Sequence, residues 1–163
     1  MLHTIARSQV LPISLEESWA FFSDPSNLSR ITPAWLCFEM TCLTPEPMYA
    51  GQVLTHRVQA LPGWKSDWVT EITHVDAPRY FVDEQRLGPF AFWHHQHRFG
   101  EDGSGTYMED IVSYALPFGL LGDLINRCLV KKRLEAIFDF RRGTLERIFP
   151  KSAAGIRWRN RPA

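Results

Sequence analysis

The sequence predicts an α+β domain in which a curved antiparallel sheet of about seven strands wraps around one long C-terminal helix. Three observations carry this. Between residues 35 and 115 apolar side chains recur at every second position. The separators between those segments are short and rich in turn residues, so consecutive strands can be joined only as hairpins. Beyond Pro117 the apolar period changes to 3.6 and persists to Ile148.

In chain order, residues 3–11 alternate and form a first strand. Ser14 caps a helix while Glu17 reaches back to it, a capping box, and Ser18-Trp-Ala-Phe-Phe22 supplies the apolar face. Asp24-Pro25 stops that helix and opens a short second one, with Asp24 as cap and Pro25 in its first turn; Thr32-Pro33 ends it. Six strands are then expected at 35–43, 52–60, 66–75, 79–87, 90–100 and 105–115, separated by Pro45-Glu-Pro47, Leu61-Pro-Gly63, Asp76-Ala-Pro78, Gly88-Pro89 and Glu101-Asp-Gly-Ser-Gly105. Finally Leu121, Leu124, Ile125, Cys128, Leu129, Leu134, Ile137, Phe138, Leu145 and Ile148 trace one stripe along a helix over 121–148, about 40 Å long. Arg127, Lys131, Lys132, Arg133, Arg141 and Arg142 lie between them and read as a solvated outer face. Order is thus β-α-α-β6-α. Residues 1–150 make a single domain, and 151–163 form a basic tail without periodicity, expected to be disordered.

The 163 residues are enough for one full core. Hydrophobic residues make up 45%, charged residues 22% and aromatic residues 13%, so a large apolar interior is within reach. Eighteen basic and eighteen acidic side chains cancel, which points away from nucleic acid and from an anionic surface as partners. No apolar run reaches the roughly 20 residues of a spanning helix, so no membrane insertion is expected. The N-terminus lacks the apolar block of a secretion signal. Cys37, Cys42 and Cys128 have no metal spacing and suit a reducing, cytoplasmic setting.

The chemistry is concentrated in Phe90-Ala-Phe-Trp-His-His-Gln-His-Arg-Phe99. Alternation puts Trp93, His95, His97 and Phe99 on one face and directs His94 to the other. A face that mixes imidazoles with large aromatics is what the wall of a small-molecule cavity needs. The neighbouring strands extend it with Trp68, Thr70 and Ile72, with Phe81, Asp83 and Gln85, and with Met108, Asp110, Val112 and Tyr114. A buried carboxylate must be paired or protonated, and a histidine beside it is the natural partner. His95 or His97 could then act as acid and base, with Asp83 and Asp110 orienting the rings. The same groups could equally anchor a ligand, or satisfy one another with no ligand at all. Trp68, Thr70, Phe81, Gln85, Trp93, Phe99, Met108, Val112 and Tyr114 are the expected ligand-lining residues. His95, His97 and one aspartate also fit a two-histidine, one-carboxylate metal site, but nothing else in the chain supports one, so neither metal nor cofactor is expected. There is no Gly-x-Ser-x-Gly and no phosphate loop; Gly100–Gly105 is a hairpin turn with no helix behind it.

The motifs Trp19-Ala-Phe-Phe-Ser-Asp-Pro25, Asn27-Leu28, Ile31-Thr-Pro33, Trp68-Val-Thr-Glu-Ile72, Phe81-Val-Asp-Glu-Gln85, Gly88-Pro-Phe90, Trp93-His-His-Gln-His97, Gly105-Thr106 with Asp110, and Pro117-Phe-Gly119 lie in that order within residues 3–149. Together they resemble the START/Bet v 1-like (SRPBCC) superfamily, and within it the bacterial polyketide cyclase/dehydrase-like subgroup. The resemblance implies the helix-grip fold, whose bent sheet leaves room against the helix, and binding of a small hydrophobic or aromatic molecule there. It does not fix one reaction, since such folds carry cyclases, hydrolases, carriers and receptors. A cyclase/dehydrase-type enzyme using a His–Asp pair is the first alternative. A regulatory protein-interaction module, suggested by the cell-division-inhibitor label some members carry, is the second.

Overall fold

A computed structural model describes residues 1–42, 47–61 and 63–151, without the side chains of residues 60, 61 and 64. The expected turn at 45–47, the centre of the one at 61–63, and the tail from 152 onward fall wholly or partly outside these residues. Seven strands form one antiparallel sheet: β1 (His3–Leu11), β2 (Glu39–Met40), β3 (Val53–Leu61), β4 (Trp64–Asp76), β5 (Tyr80–Leu87), β6 (Phe92–Asp102) and β7 (Gly105–Ala115). Their order is β1-β7-β6-β5-β4-β3-β2, so the run from β2 to β7 is a meander and β1 closes it by pairing with β7. The pairing of β3 with β4 shifts register between Val58 and Leu61, and that of β4 with β5 shifts between Val69 and Thr70 and between Ile72 and His74. Such irregularities bend a sheet, and here they give it the curvature of a grip. The turn into β7 needs Gly105: its φ is 147°, and a Cβ there would stand 2.0 Å from the carbonyl oxygen of Leu11.

The capping box forms as read. Ser14 Oγ accepts from the Glu17 amide at 3.2 Å, and the Glu17 carboxylate accepts from the Ser14 amide at 2.9 Å, opening α1 (Leu15–Phe22). Asp24 caps a 3-10 turn, Pro25–Ile31, through the Ser26 amide. One expected strand is largely absent. Of its described residues, 35–42, only Glu39–Met40 pair as a strand, because Ala34–Leu36 close into a second 3-10 turn and Cys37 follows in the left-handed region at φ 46°.

The C-terminal helix runs from Gly119 to Ile148 as α2 (Gly119–Ile125), a π-helical turn (Asn126–Val130) and α3 (Lys131–Ile148). The π turn corrects the predicted stripe. Wide turns rotate the helix face, so the buried positions are Gly122, Asn126, Leu134, Phe138, Arg141, Thr144 and Leu145. Leu121 and Leu124, each 58% exposed, are turned outward, and Cys128 with them.

Two apolar clusters hold helix to sheet. Leu11, Leu15, Phe21, Ile31, Phe81, Phe99, Met108 and Leu145 form one, where α1 packs between the sheet and the end of α3. Ile5, Val112, Tyr114, Leu134 and Phe138 form the other, where α3 lies against β1 and β7. Helices therefore fill the inner face of the β1–β7 side. On the β3–β5 side none of the described residues fills it, and there the sheet and helix stand apart.

Candidate functional site

A cavity of ≈ 380 Å³ lies in that gap. Period-two alternation decides which side chains reach it. From β3 come Leu54, His56 and Val58, from β4 Trp68, Thr70 and Ile72, from β5 Phe81 and Asp83, and from β6 Trp93, His95 and His97. The helix contributes Val130, Leu134, Ile137, Phe138 and Arg141, and the 3-10 turns close one side with Leu28, Ile31, Trp35 and Leu36.

The polar wall follows from register. Asp83 is the cross-strand partner of His95, and His97 that of Asp110. In the folded protein the four side chains form a closed ring. His95 Nδ1 is 3.2 Å from Asp83 Oδ2 and His95 Nε2 is 3.0 Å from Asp110 Oδ1. His97 Nε2 is 2.8 Å from Asp83 Oδ2. His97 Nδ1 lies 2.9 Å from Asp110 Oδ1 but off the hydrogen-bond direction, so that nitrogen has no hydrogen-bond partner. Trp93 Nε1 donates weakly to Asp83 at 3.4 Å, and the His97 ring stacks on Phe81 at 4.0 Å between centroids. Behind them Arg141 brings a guanidinium nitrogen to 3.6 Å from Asp110 Oδ2.

The protonation states follow. Burial pushes His95 toward its neutral form, but the charge of Asp83 and the hydrogen bonds to Asp110 and Asp83 outweigh it and raise its pKa to about 9. Burial also opposes ionisation of both aspartates. The charge of His95 and the bonds from His95 and His97 hold Asp83 well below the usual carboxylate range. The hydrogen bond from His95 and the charge of Arg141 do the same for Asp110. A His95 imidazolium and Arg141 thus offset two carboxylates inside the protein, which is how buried charge is tolerated. Across the cavity His56 is buried against Phe38 and Trp68, and burial, opposed in part by Asp83, lowers its pKa to about 4. It is a neutral wall group at pH 7.

Of the residues singled out from sequence, Asp83, His95, His97, Trp68, Thr70, Phe81 and Trp93 border the cavity. Asp110 joins the ring from behind and does not border it. Five expected lining residues lie elsewhere. Gln85 is turned to the β5–β6 hairpin, where its amide donates to the Phe90 carbonyl at 2.7 Å and accepts from the Phe90 amide at 3.2 Å. Phe99 and Met108 are packed in the cluster under α1, and Val112 and Tyr114 in the one under α3. The reason is the same for these last four: helices cover β7 and the far end of β6. Sequence reasoning missed His56, although Leu54-x-His56-x-Val58 has the inward alternation. It also missed Arg141, which stands three residues from Phe138 and four from Leu145 on the buried face.

One ligand atom each from Asp83, His95 and His97 lies within 4.8 Å of the others, close enough to converge on a small cation. Asp83 already holds both imidazoles, and Arg141 adds positive charge beside the ring.

No family model and no curated protein matches the chain. Solved structures do. Protein TTHA0849 from Thermus thermophilus superimposes with a TM-score of 0.68 at 19% identity, over 89% of this chain and 95% of that one. Protein CV1439 from Chromobacterium violaceum gives a TM-score of 0.68 at 14% identity, over 92% and 99%. Ara h 8.0201, a Bet v 1 homologue, gives 0.56 at 14% identity, over 89% and 98%. The chain has the Bet v 1-like helix-grip fold. At these identities the likeness speaks for the fold alone. In this helix-grip protein the cavity lies between sheet and C-terminal helix, and the Asp83–His95–Asp110–His97 ring is built into one wall.

Proposed function

We propose that the protein binds a small hydrophobic or aromatic molecule in the cavity between the sheet and the C-terminal helix. The observation that carries this is the cavity itself: ≈ 380 Å³, walled mostly by aromatic and aliphatic side chains, with Asp83, His95 and His97 together in one polar patch. Pockets for small organic ligands have this size and this make-up. Trp68, Phe81 and Trp93 offer ring faces to a ligand, and the His–Asp patch offers one polar anchor. The three cysteines, none of them in a disulfide, suit a reducing, cytoplasmic setting.

Acid–base catalysis on an enolisable carbonyl or a hydroxyl leaving group is the second reading, favoured by the His–Asp contacts. It needs a ring nitrogen free to face the substrate; both nitrogens of His95 are held by carboxylates, and the unpartnered Nδ1 of His97 is buried beside Asp110, which does not border the cavity. Binding therefore comes first.

The test is titration with the apolar dye 1-anilinonaphthalene-8-sulfonate, alongside native mass spectrometry of the purified protein for a co-purified molecule. We expect saturable dye binding at one site. Thr70→Trp, which fills the cavity from β4, should weaken it at least about tenfold with the far-UV spectrum unchanged. Undiminished affinity in a folded Thr70→Trp variant would remove the reading.

A further inference from the structure

The first half of the C-terminal helix presents apolar side chains to solvent instead of to the sheet. Phe118 is 79% exposed, Leu120 87%, Leu121 58% and Leu124 58%. These are contiguous positions around the first turns of α2, well beyond the scattered single exposures usual on a surface. The patch borders the cavity, since Pro117, Phe118, Gly122 and Ile125 of the same segment line it. The next turns carry Arg127, Lys131 and Lys132, all exposed. The acid within the patch, Asp123, is already tied to His3 at 3.1 Å. An apolar tip backed by unopposed cations is the pattern that lies in a bilayer interface: greasy side chains enter the acyl boundary while Lys and Arg meet anionic headgroups. No helix among the described residues is long and apolar enough to cross a membrane, so the contact is peripheral.

We propose that this end of the helix docks the protein on an anionic lipid bilayer, with the mouth of the cavity against the lipid. Charge complementarity selects that occupant over a second copy of the chain, whose own cations would face these. The corollary, that the bound molecule is an apolar one taken from or given to the membrane, rests on the ligand-binding reading; the docking itself does not.

The experiment is flotation of the full chain with vesicles of phosphatidylcholine alone and of phosphatidylcholine with about 30% phosphatidylglycerol, at about 0.1 M and 0.5 M salt. We expect binding to the anionic vesicles that falls at high salt and is weak on the neutral ones. Leu120→Asp/Leu124→Asp and Lys131→Glu/Lys132→Glu should each reduce binding on the order of tenfold or more. Both pairs lie outside the cavity wall, so dye binding in solution should be unchanged, and loss of docking is read separately from loss of the cavity. Absence of binding to anionic vesicles, or equal binding by the variants, overturns the proposal. So does a concentration-dependent dimer that the Leu120→Asp/Leu124→Asp variant abolishes while vesicles are ignored, since a second copy would then cover the patch.

Discussion

The charge of His95 gives the protein a measurable alkaline limit. An unfolded histidine titrates at 6.5, and in the ring of Asp83 and Asp110 this one titrates at about 9. That difference is worth about 3 kcal/mol of folding stability. The sign is fixed by which state holds the proton. Below pH 6.5 the ring is charged folded or unfolded, and the contribution is fully present. Between 6.5 and 9 the native state keeps a proton the unfolded chain has released, so stability falls as pH rises, and above 9 it is gone. The acid side runs the other way. Asp83 and Asp110 are held below their ordinary 3.8, so their contribution is present above that value and lost on acidification. His56, lowered to about 4, loses its contribution as pH falls from 6.5 toward 4. Stability should therefore peak near neutrality. Urea unfolding at pH 6, 7, 8 and 9, read by tryptophan fluorescence at constant ionic strength, measures it. With a slope of about 2 kcal/mol per molar urea, the midpoint should fall by about 1.5 M from pH 6 to pH 9. His95→Gln removes the imidazolium that stands between the two carboxylates, leaving Asp83 with His97 and Trp93 and Asp110 beside Arg141. It should cost about 3–5 kcal/mol at pH 6 and flatten the decline from 6.5 to 9. A wild-type midpoint constant over that range, or a variant that keeps the wild-type slope, would refute the charge assignment.

Three further outcomes test the packing around the site. Leu145→Ala, at a fully buried position in the cluster under α1, should lower stability by about 2–5 kcal/mol in urea unfolding; a loss under about 1 kcal/mol would contradict that placement. Gly105→Ala forces a Cβ toward the Leu11 carbonyl at positive φ and should cost at least about 1–3 kcal/mol, seen as a lower Tm; an unchanged Tm would mean the turn is built differently. Tyr114→Phe removes the hydroxyl that donates to Asn126 Oδ1 at 2.8 Å in the π turn, leaving a buried amide oxygen unpaired, and should cost about 1–3 kcal/mol by chemical denaturation; no change would place Asn126 elsewhere.

Strand parity made the polar ring legible. In a hairpin meander the side-chain period is two and neighbours in sequence are neighbours in space, so Asp83, His95, His97 and Asp110 had to share a face and lie side by side. The helix resisted the same treatment. A 3.6-residue period assumes regular turns, and the π turn at Asn126–Val130 rotated Leu121, Leu124 and Cys128 out of the stripe while bringing Gly122 and Asn126 in. Arg141 was missed because a guanidinium among other basic residues reads as surface, even though its spacing from Phe138 and Leu145 places it inside. Parity also says which face is inward but not what covers it. Phe99, Met108, Val112 and Tyr114 point inward like Trp68 and Phe81, and only the resting place of the helices separates core from cavity wall.

That separation gives the ring its meaning. His95 and His97 stand where β6 passes from beneath the helix to the open side of the sheet, so Asp110 and Arg141 hold them from the packed side while the cavity meets them on the other. A group used to shuttle protons needs a pKa near the working pH and a free nitrogen. His95 has a pKa of about 9 and both nitrogens engaged, which suits a fixed positive charge. On the proposed binding reading, a fixed charge in the wall of an apolar cavity would orient a ligand that carries an oxygen or a π-face at one end, and binding requires no more than that of a polar wall.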